Sequence, residues 1–215
     1  MKGRNKLAAM VVFSILAFGL LPALALLLPY EQPAALGPAR WADRQGKLDV
    51  FPDKGHLPID ASYVRMGDEY RDQRSYSSAE DAYLKALSYN TTNAAAYFGL
   101  GEADFWLERW EDALHAFETS IQHGYPEPAL AYRGMGWSYY NLGIYPQARG
   151  AFEQAVELAP DLADAYNGLG WVSLQEDRCD GGIQFFERAL ALDPRFLEAQ
   201  RGLSICIRMQ QDRVR

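Results

Sequence analysis

Three histidines, two cysteines and three Gly-x-Gly triplets are the residues of this 215-residue chain best suited to chemistry. His56, His115 and His123 stand far apart, and no His/Cys/Asp set has the spacing of a zinc site. There is no Cys-x-x-Cys-His run to attach a haem. Gly99–Gly101, Gly134–Gly136 and Gly168–Gly170 are the kind of triplet that opens a phosphate-cradling loop. Such a loop must follow a strand and precede a helix, whereas these triplets sit inside stretches of helical periodicity. No Ser or Cys stands in a recognisable nucleophile setting. The acidic pairs Asp68–Glu69 and Glu111–Asp112 read as solvated helix faces. We therefore expect no catalytic residue, metal, cofactor or small-molecule substrate.

Recognition chemistry remains. Trp, Tyr and Arg are the residue types that anchor protein interfaces, and here they ride on a sequence that repeats itself. Segments starting at residues 60, 94, 129 and 163 align with spacings of 34, 35 and 34 residues. The extra residue falls at the Tyr125–Pro128 turn. Each segment carries a tyrosine, a large apolar residue and a glycine, then a second group of alanine and aromatic marks. In the third copy these are Tyr132, Met135, Gly136, Tyr139, Ala148, Phe152, Ala155 and Pro160. In the fourth they are Tyr166, Leu169, Gly170, Phe186, Ala189 and Pro194. Marks three or four apart share one helix face. One such unit cannot bury its apolar face alone, so stability must come from stacking neighbours.

A helix–turn–helix unit of about 34 residues, marked in this way, resembles the tetratricopeptide repeat family over roughly residues 60–215. The resemblance implies an all-α fold. It would be a right-handed solenoid of four repeats, at about 60–93, 94–128, 129–162 and 163–196, closed by a capping helix over 197–211. Three positions depart from the pattern. Asp104 and Ser173 replace the aromatic present as Tyr70 and Tyr139, and Gly182 replaces an alanine, which should soften the fourth repeat.

In that family, ligands lie along the concave surface made by the first helix of each repeat. Carried over position by position, the groove would be lined by Phe98, Glu102, Phe105 and Trp106 of the second repeat, then Arg133, Trp137, Tyr140 and Asn141 of the third. Asn167, Trp171, Leu174 and Gln175 would follow from the fourth, with Arg201 and Ile205 of the cap. The first repeat would add the more charged Val64, Asp68, Arg71 and Asp72. Two readings of Trp137 and Trp171 stand open: packing aromatics covered by neighbours, or an exposed aromatic track with Arg133 and Arg201 spaced along it. On the second reading, Gly99, Gly134, Gly168 and Gly202 leave room for a partner's backbone. The partner implied is a protein, presented as an extended or helical segment. A glycan-binding module and a self-associating structural protein are the alternative classes.

The N-terminus is of another kind. Lys2, Arg4 and Lys6 precede Leu7–Leu28, which carries no charge. At about 1.5 Å per residue such a helix reaches roughly 33 Å, enough to cross a bilayer core. We expect one N-terminal transmembrane signal anchor over 1–28, with a cleaved signal peptide as the rival, and a proline-rich linker over 29–59. The basic flank places the N-terminus in the cytoplasm and the repeats outside it, in the periplasm or at the cell surface, or secreted if the helix is cleaved. Residues 60–215 hold 14 Lys and Arg against 24 Asp and Glu, so nucleic acid is not an expected partner. Cys179 and Cys206 open one helix and end the next. Antiparallel neighbours would bring them together, as a disulfide in an oxidising compartment or as two buried thiols. Asn90-Thr91-Thr92 matches the N-glycosylation acceptor pattern in a turn.

Overall fold

The computed structural model describes residues 57–214, with side chains as far as Arg213. The Leu7–Leu28 stretch and nearly all of the proline-rich linker lie outside the described residues. Within them the chain forms nine helices and no strand. The first repeat is α1 (Ile59–Asp72) and α2 (Tyr76–Tyr89), the second α3 (Ala94–Trp106) and α4 (Trp110–Gln122). The third is α5 (Pro128–Asn141) and α6 (Tyr145–Leu158), the fourth α7 (Ala163–Gln175) and α8 (Cys179–Leu192), and α9 (Leu197–Val214) closes the array. Among the described residues no helix is long and apolar enough to cross a membrane, and no group of His, Cys, Asp or Glu could hold a metal.

Every turn between the helices of a repeat has the same build. Three residues separate the helices, and the middle one is left-handed: Arg74 (φ 58°), Glu108 (φ 60°), Gly143 (φ 74°) and Asp177 (φ 60°). The next backbone N–H then donates to a carbonyl five residues back, as Ser75 does to Tyr70 at 2.8 Å and Arg178 to Ser173 at 2.8 Å. This closure satisfies the carbonyls that a helix end leaves free. It turns the chain back on itself, so the two helices pack along their length.

Each helix packs on its neighbours in sequence. The first helices also touch one another in file, α1 on α3, α3 on α5, α5 on α7 and α7 on α9, while the second helices do not touch each other. The second helices are therefore splayed on the outside of a curve, and the first helices line the inside. That asymmetry defines the concave face.

The core is a row of four rings. Tyr83, Phe117, Phe152 and Phe186, one per second helix, are each at most 1 % exposed. Each ring is clamped between a glycine of its own first helix and a glycine of the next. A Cβ on Gly136 or Gly168 would stand 2.6 or 2.4 Å from the Phe152 ring, and on Gly170 or Gly202, 2.5 or 2.2 Å from Phe186. Gly101 and Gly134 close on Phe117 in the same way, and Gly67 and Gly99 on Tyr83. The Gly-x-Gly triplets are thus double seats, one glycine for each neighbouring ring. This corrects one expectation: Gly99, Gly134, Gly168 and Gly202 leave no room for a partner's backbone, because rings of the preceding repeats occupy that space.

The departures Asp104 and Ser173 also acquire a cause. Where an aromatic is missing, an arginine fills the gap and ties two repeats together. Arg109 bonds Asp104 and lies 2.7 Å from Glu80 on α2. Arg149 on α6 donates to Ser173 at 3.2 Å and to Glu176 at 2.6 Å. The positions correspond, but the polarity is reversed: acid on the earlier second helix in one case, arginine in the other. Gly182 faces Cys206, whose sulfur would lie 3.2 Å from an added Cβ, so the small residue makes room for the cap. The Asn90 amide is also engaged. It donates to Asp60 at 2.8 Å and accepts from the Thr92 N–H at 3.1 Å, which opposes its use as a glycan acceptor.

Candidate functional site: the concave face

A polar chain runs along the inside of the curve and crosses from one first helix to the next. Tyr83 reaches through between Gly67 and Gly99, and its hydroxyl donates to Asp68 on α1 at 2.8 Å. Burial first, and then the bond with Asp68, pushes that phenol far above its ordinary range. Arg71 lies 3.2 Å from Asp68 and 3.5 Å from Asp72, and donates to Glu102 on α3 at 2.8 Å. The other Glu102 oxygen faces Arg133 on α5 at 3.4 Å. Arg133 in turn stands 3.8 Å from Asp164 on α7, which accepts a bond from the Trp137 indole at 3.0 Å. The charges fix the relative placement of four helices.

Over this chain opens a recess of about 460 Å³, lined by Val64, Asp68 and Arg71 of α1, Ala95, Phe98 and Glu102 of α3, and Tyr125, Leu130 and Arg133 beyond. Phe98 is 6 % exposed and forms its wall, with Tyr125 stacked on it at 4.3 Å between ring centres. Tyr125 comes from the turn that holds the extra residue of the 35-residue spacing.

The other expected groove residues fall into distinct settings. Trp137 and Trp171 are half-buried, each edge-on to the ring of its own repeat: Trp137 to Phe152 at 5.1 Å, Trp171 to Phe186 at 5.8 Å. Each indole thus packs on the core and is only partly covered. Tyr140 is half-buried against Trp137, and its hydroxyl accepts from Gln175 at 3.0 Å, bridging two repeats. Asn141 is exposed and donates to the Trp137 carbonyl at 3.0 Å. Asn167 is buried, 2 % exposed, and its Oδ1 has no partner. Phe105 is half-buried, whereas Trp106 is 58 % exposed at the rim and stacks on Tyr76. Arg201 is exposed on the cap.

Cys179 and Cys206 are free thiols here, both buried, and the Cys179 thiol donates to the Met209 sulfur at 3.8 Å. Burial, followed by the influence of the neighbouring Cys179, pushes the Cys206 thiol up to about 12. In the folded protein it is a packed, protonated group rather than a nucleophile.

Three participants were not singled out from sequence. Tyr83 had a signal: it is the one tyrosine among three phenylalanines at its position, and its hydroxyl is what enters the groove. Tyr125 had the inserted residue. Asp164 had none, because its role depends on where Arg133 and Trp137 point.

This geometry is that of a repeat scaffold, and comparison with known proteins agrees. A family profile described as tetratricopeptide repeat matches residues 64–121, 107–162 and 133–195. The chain belongs to that family. No curated protein sequence matches it. Among solved structures it is similar to a chain of the Cut9–Hcn1 hetero-tetramer of the APC/C, with a TM-score of 0.66 and 18 % identity, over 70 % of this chain and 30 % of that one. It is also similar to YrrB, described as a tetratricopeptide protein with an unusual peptide-binding site (TM-score 0.58, 21 % identity, 70 % and 77 % of the two chains). PilF of Pseudomonas aeruginosa gives a TM-score of 0.64 at 19 % identity, over 72 % and 70 % of the chains. These identities establish the shared fold.

Proposed function

We propose that this chain is a non-enzymatic, membrane-anchored scaffold whose repeats stand outside the cytoplasm and hold a protein partner in the concave groove. The task would be assembly or maintenance of a membrane or envelope complex. One observation carries the reading. The file of first helices leaves a continuous face covered by no other element of the described residues, with half-buried tryptophans and a recess along it. Aromatic and arginine side chains in such partly covered settings are those that gain most on desolvation by a partner. Peptide binding by YrrB lends support by likeness of fold, and the uncharged Leu7–Leu28 stretch with its basic flank supports the anchor.

The test is crosslinking in intact membranes, then co-purification and mass spectrometry. Wild type is run beside a Trp137→Ala/Trp171→Ala variant that retains its helical circular dichroism. We expect a defined protein set to be captured by wild type and to fall by tenfold or more in the variant, as for interface tryptophans. An unchanged set would show that the indoles serve packing alone and that the partner binds elsewhere.

An oxidising location also bears on the cysteines. On this reading Cys179 and Cys206 are joined in the envelope, clamping α9 to α8. For a closed loop of this length the chain-entropy argument gives about 3.6 kcal/mol. Protein purified without reductant and unfolded in denaturant should then show no free thiol by alkylation; two titratable thiols would refute the clamp.

A further inference from the structure

We propose that the recess between the first three repeats accepts a cationic side chain, a lysine or arginine, presented by a peptide segment of the partner. This rests on the groove reading above and adds the chemistry of its occupant. The recess, at about 460 Å³, has room for a long side chain and part of its backbone.

Charge decides which side chain. Two guanidiniums, Arg71 and Arg133, are shared among four carboxylates: Asp68, Asp72, Glu102 and Asp164. Both arginines already face Glu102, one at each oxygen, so an entering anion would compete at short range with a carboxylate fixed in place. An entering cation meets the opposite situation. A carboxylate can accept about four hydrogen bonds. Asp72 has one ion contact, at 3.5 Å, and its side chain is 75 % exposed; that of Asp68 is 41 % exposed. Spare acceptors therefore face solvent on Asp68, which lines the recess, and on Asp72, which contacts the lining residue Arg71.

The stacked Phe98–Tyr125 wall complements this. It offers apolar surface to the stem of a long side chain. Tyr125 is pushed up to about 12, first by burial and then by Glu127 and Glu102, with Arg71 only partly opposing. At longer range the acidic excess of residues 60–215 draws a basic segment toward the domain.

The experiment is fluorescence polarisation on the full-length protein in zwitterionic nanodiscs, with empty nanodiscs as blank. The probes are a fluorescein-labelled peptide alternating leucine and lysine and its leucine–glutamine and leucine–glutamate counterparts. The lysine peptide should bind best and weaken with added salt. Asp72→Asn/Glu102→Gln should lower its affinity about tenfold, or 1.4 kcal/mol, while Glu153→Gln/Glu187→Gln on the exposed second helices should change it less than twofold. Asp72→Asn alone, at an exposed position, keeps the test valid if the Glu102 change disturbs the fold, and should give a partial loss. Preference for the glutamate peptide, or equal losses in the groove pair and the control pair, would overturn the proposal. If the lysine peptide fails while Trp137→Ala/Trp171→Ala still abolishes partner capture, the cation site falls and the groove reading stands; if capture is also unchanged, both fall.

Discussion

Replacing Gly168 with alanine is expected to cost about 3 kcal/mol and to loosen the joint between the third and fourth repeats. Propensity alone predicts the reverse, since alanine favours a helix interior by roughly 1 kcal/mol over glycine. Packing decides the sign. The new Cβ would stand 2.4, 2.5 and 2.6 Å from three atoms of the Phe152 ring, which is fully buried. The ring cannot retreat, because Gly136 closes on its other side at 2.6 Å. The remaining outcome is separation of α7 from α6, and overpacking of this kind costs about 1–3 kcal/mol or more. Gly150→Ala on α6 is the control: its Cβ meets nothing within 4 Å, so a gain of about 0.5–1 kcal/mol is expected. Urea unfolding followed by circular dichroism reads both. Because repeats couple mainly to neighbours, the Gly168 variant should also show a broadened or split transition. Phe152→Leu in the same chain should recover part of the loss, a coupling that a double-mutant cycle isolates. A Gly168→Ala protein as stable as the Gly150→Ala one would refute the clamp.

The clamp also shows which parts of the fold were legible in the sequence and which were not. Gly136, Gly170, Phe152 and Phe186 recur in register, and four recurrences mark the helix pairs. Gly134, Gly168 and Gly202 recur as well, but one chain of letters does not reveal which ring fills the space they leave. An open groove and a covered seat give the same glycine. Asp104 and Ser173 stood out as departures; their compensation by Arg109 and Arg149 did not, because those arginines sit on different elements and at non-equivalent positions. Contacts between repeats are set by the superhelix, which the repeat pattern specifies only as a whole.

The site was legible to a similar depth. Arg133, Trp137, Tyr140, Asn141, Trp171 and Gln175 were named from position alone, and all stand on first helices, the inside of the curve. What position could not supply is covering. Asn167 occupies the same register as Arg133 yet is buried, while Trp106, at the end of its helix, projects from the rim. An indole at this register packs at a steep angle on the ring of its own repeat and is only partly covered. The charges are clearer in structure than in sequence. Asp68, Arg71, Glu102 and Arg133 are groove positions in the sequence, but which of them pair is set only when the helices align them.

The native protein is expected to lose stability as pH rises from about 4 to about 6, and Asp104→Asn to remove that loss. Asp104 is 5 % exposed, and burial lifts its carboxyl from an ordinary value of 3.8 to about 6, against the bond and charge of Arg109. Glu80 and Asp112 push the same way as burial, and His115 lines the same hollow on the outer face. The sign follows from proton counting. Between the two values the folded protein binds a proton at Asp104 that the unfolded chain has lost, so unfolding releases it and stability falls with rising pH. Below about pH 4 both states are protonated, and above about pH 6 both are ionised, so the effect is confined to that window. A shift of roughly two pH units corresponds to on the order of 3 kcal/mol. Asparagine keeps an acceptor for Arg109, which retains Glu80 at 2.7 Å, and it does not titrate. Chemical denaturation of both proteins at several pH values, plotted as the difference, cancels every other titrating group. We expect the asparagine variant to gain on wild type steadily through the window and then hold its lead. A flat difference would mean that Arg109 holds Asp104 ionised throughout, and that the polar tie between the first two repeats is a charged pair at every pH.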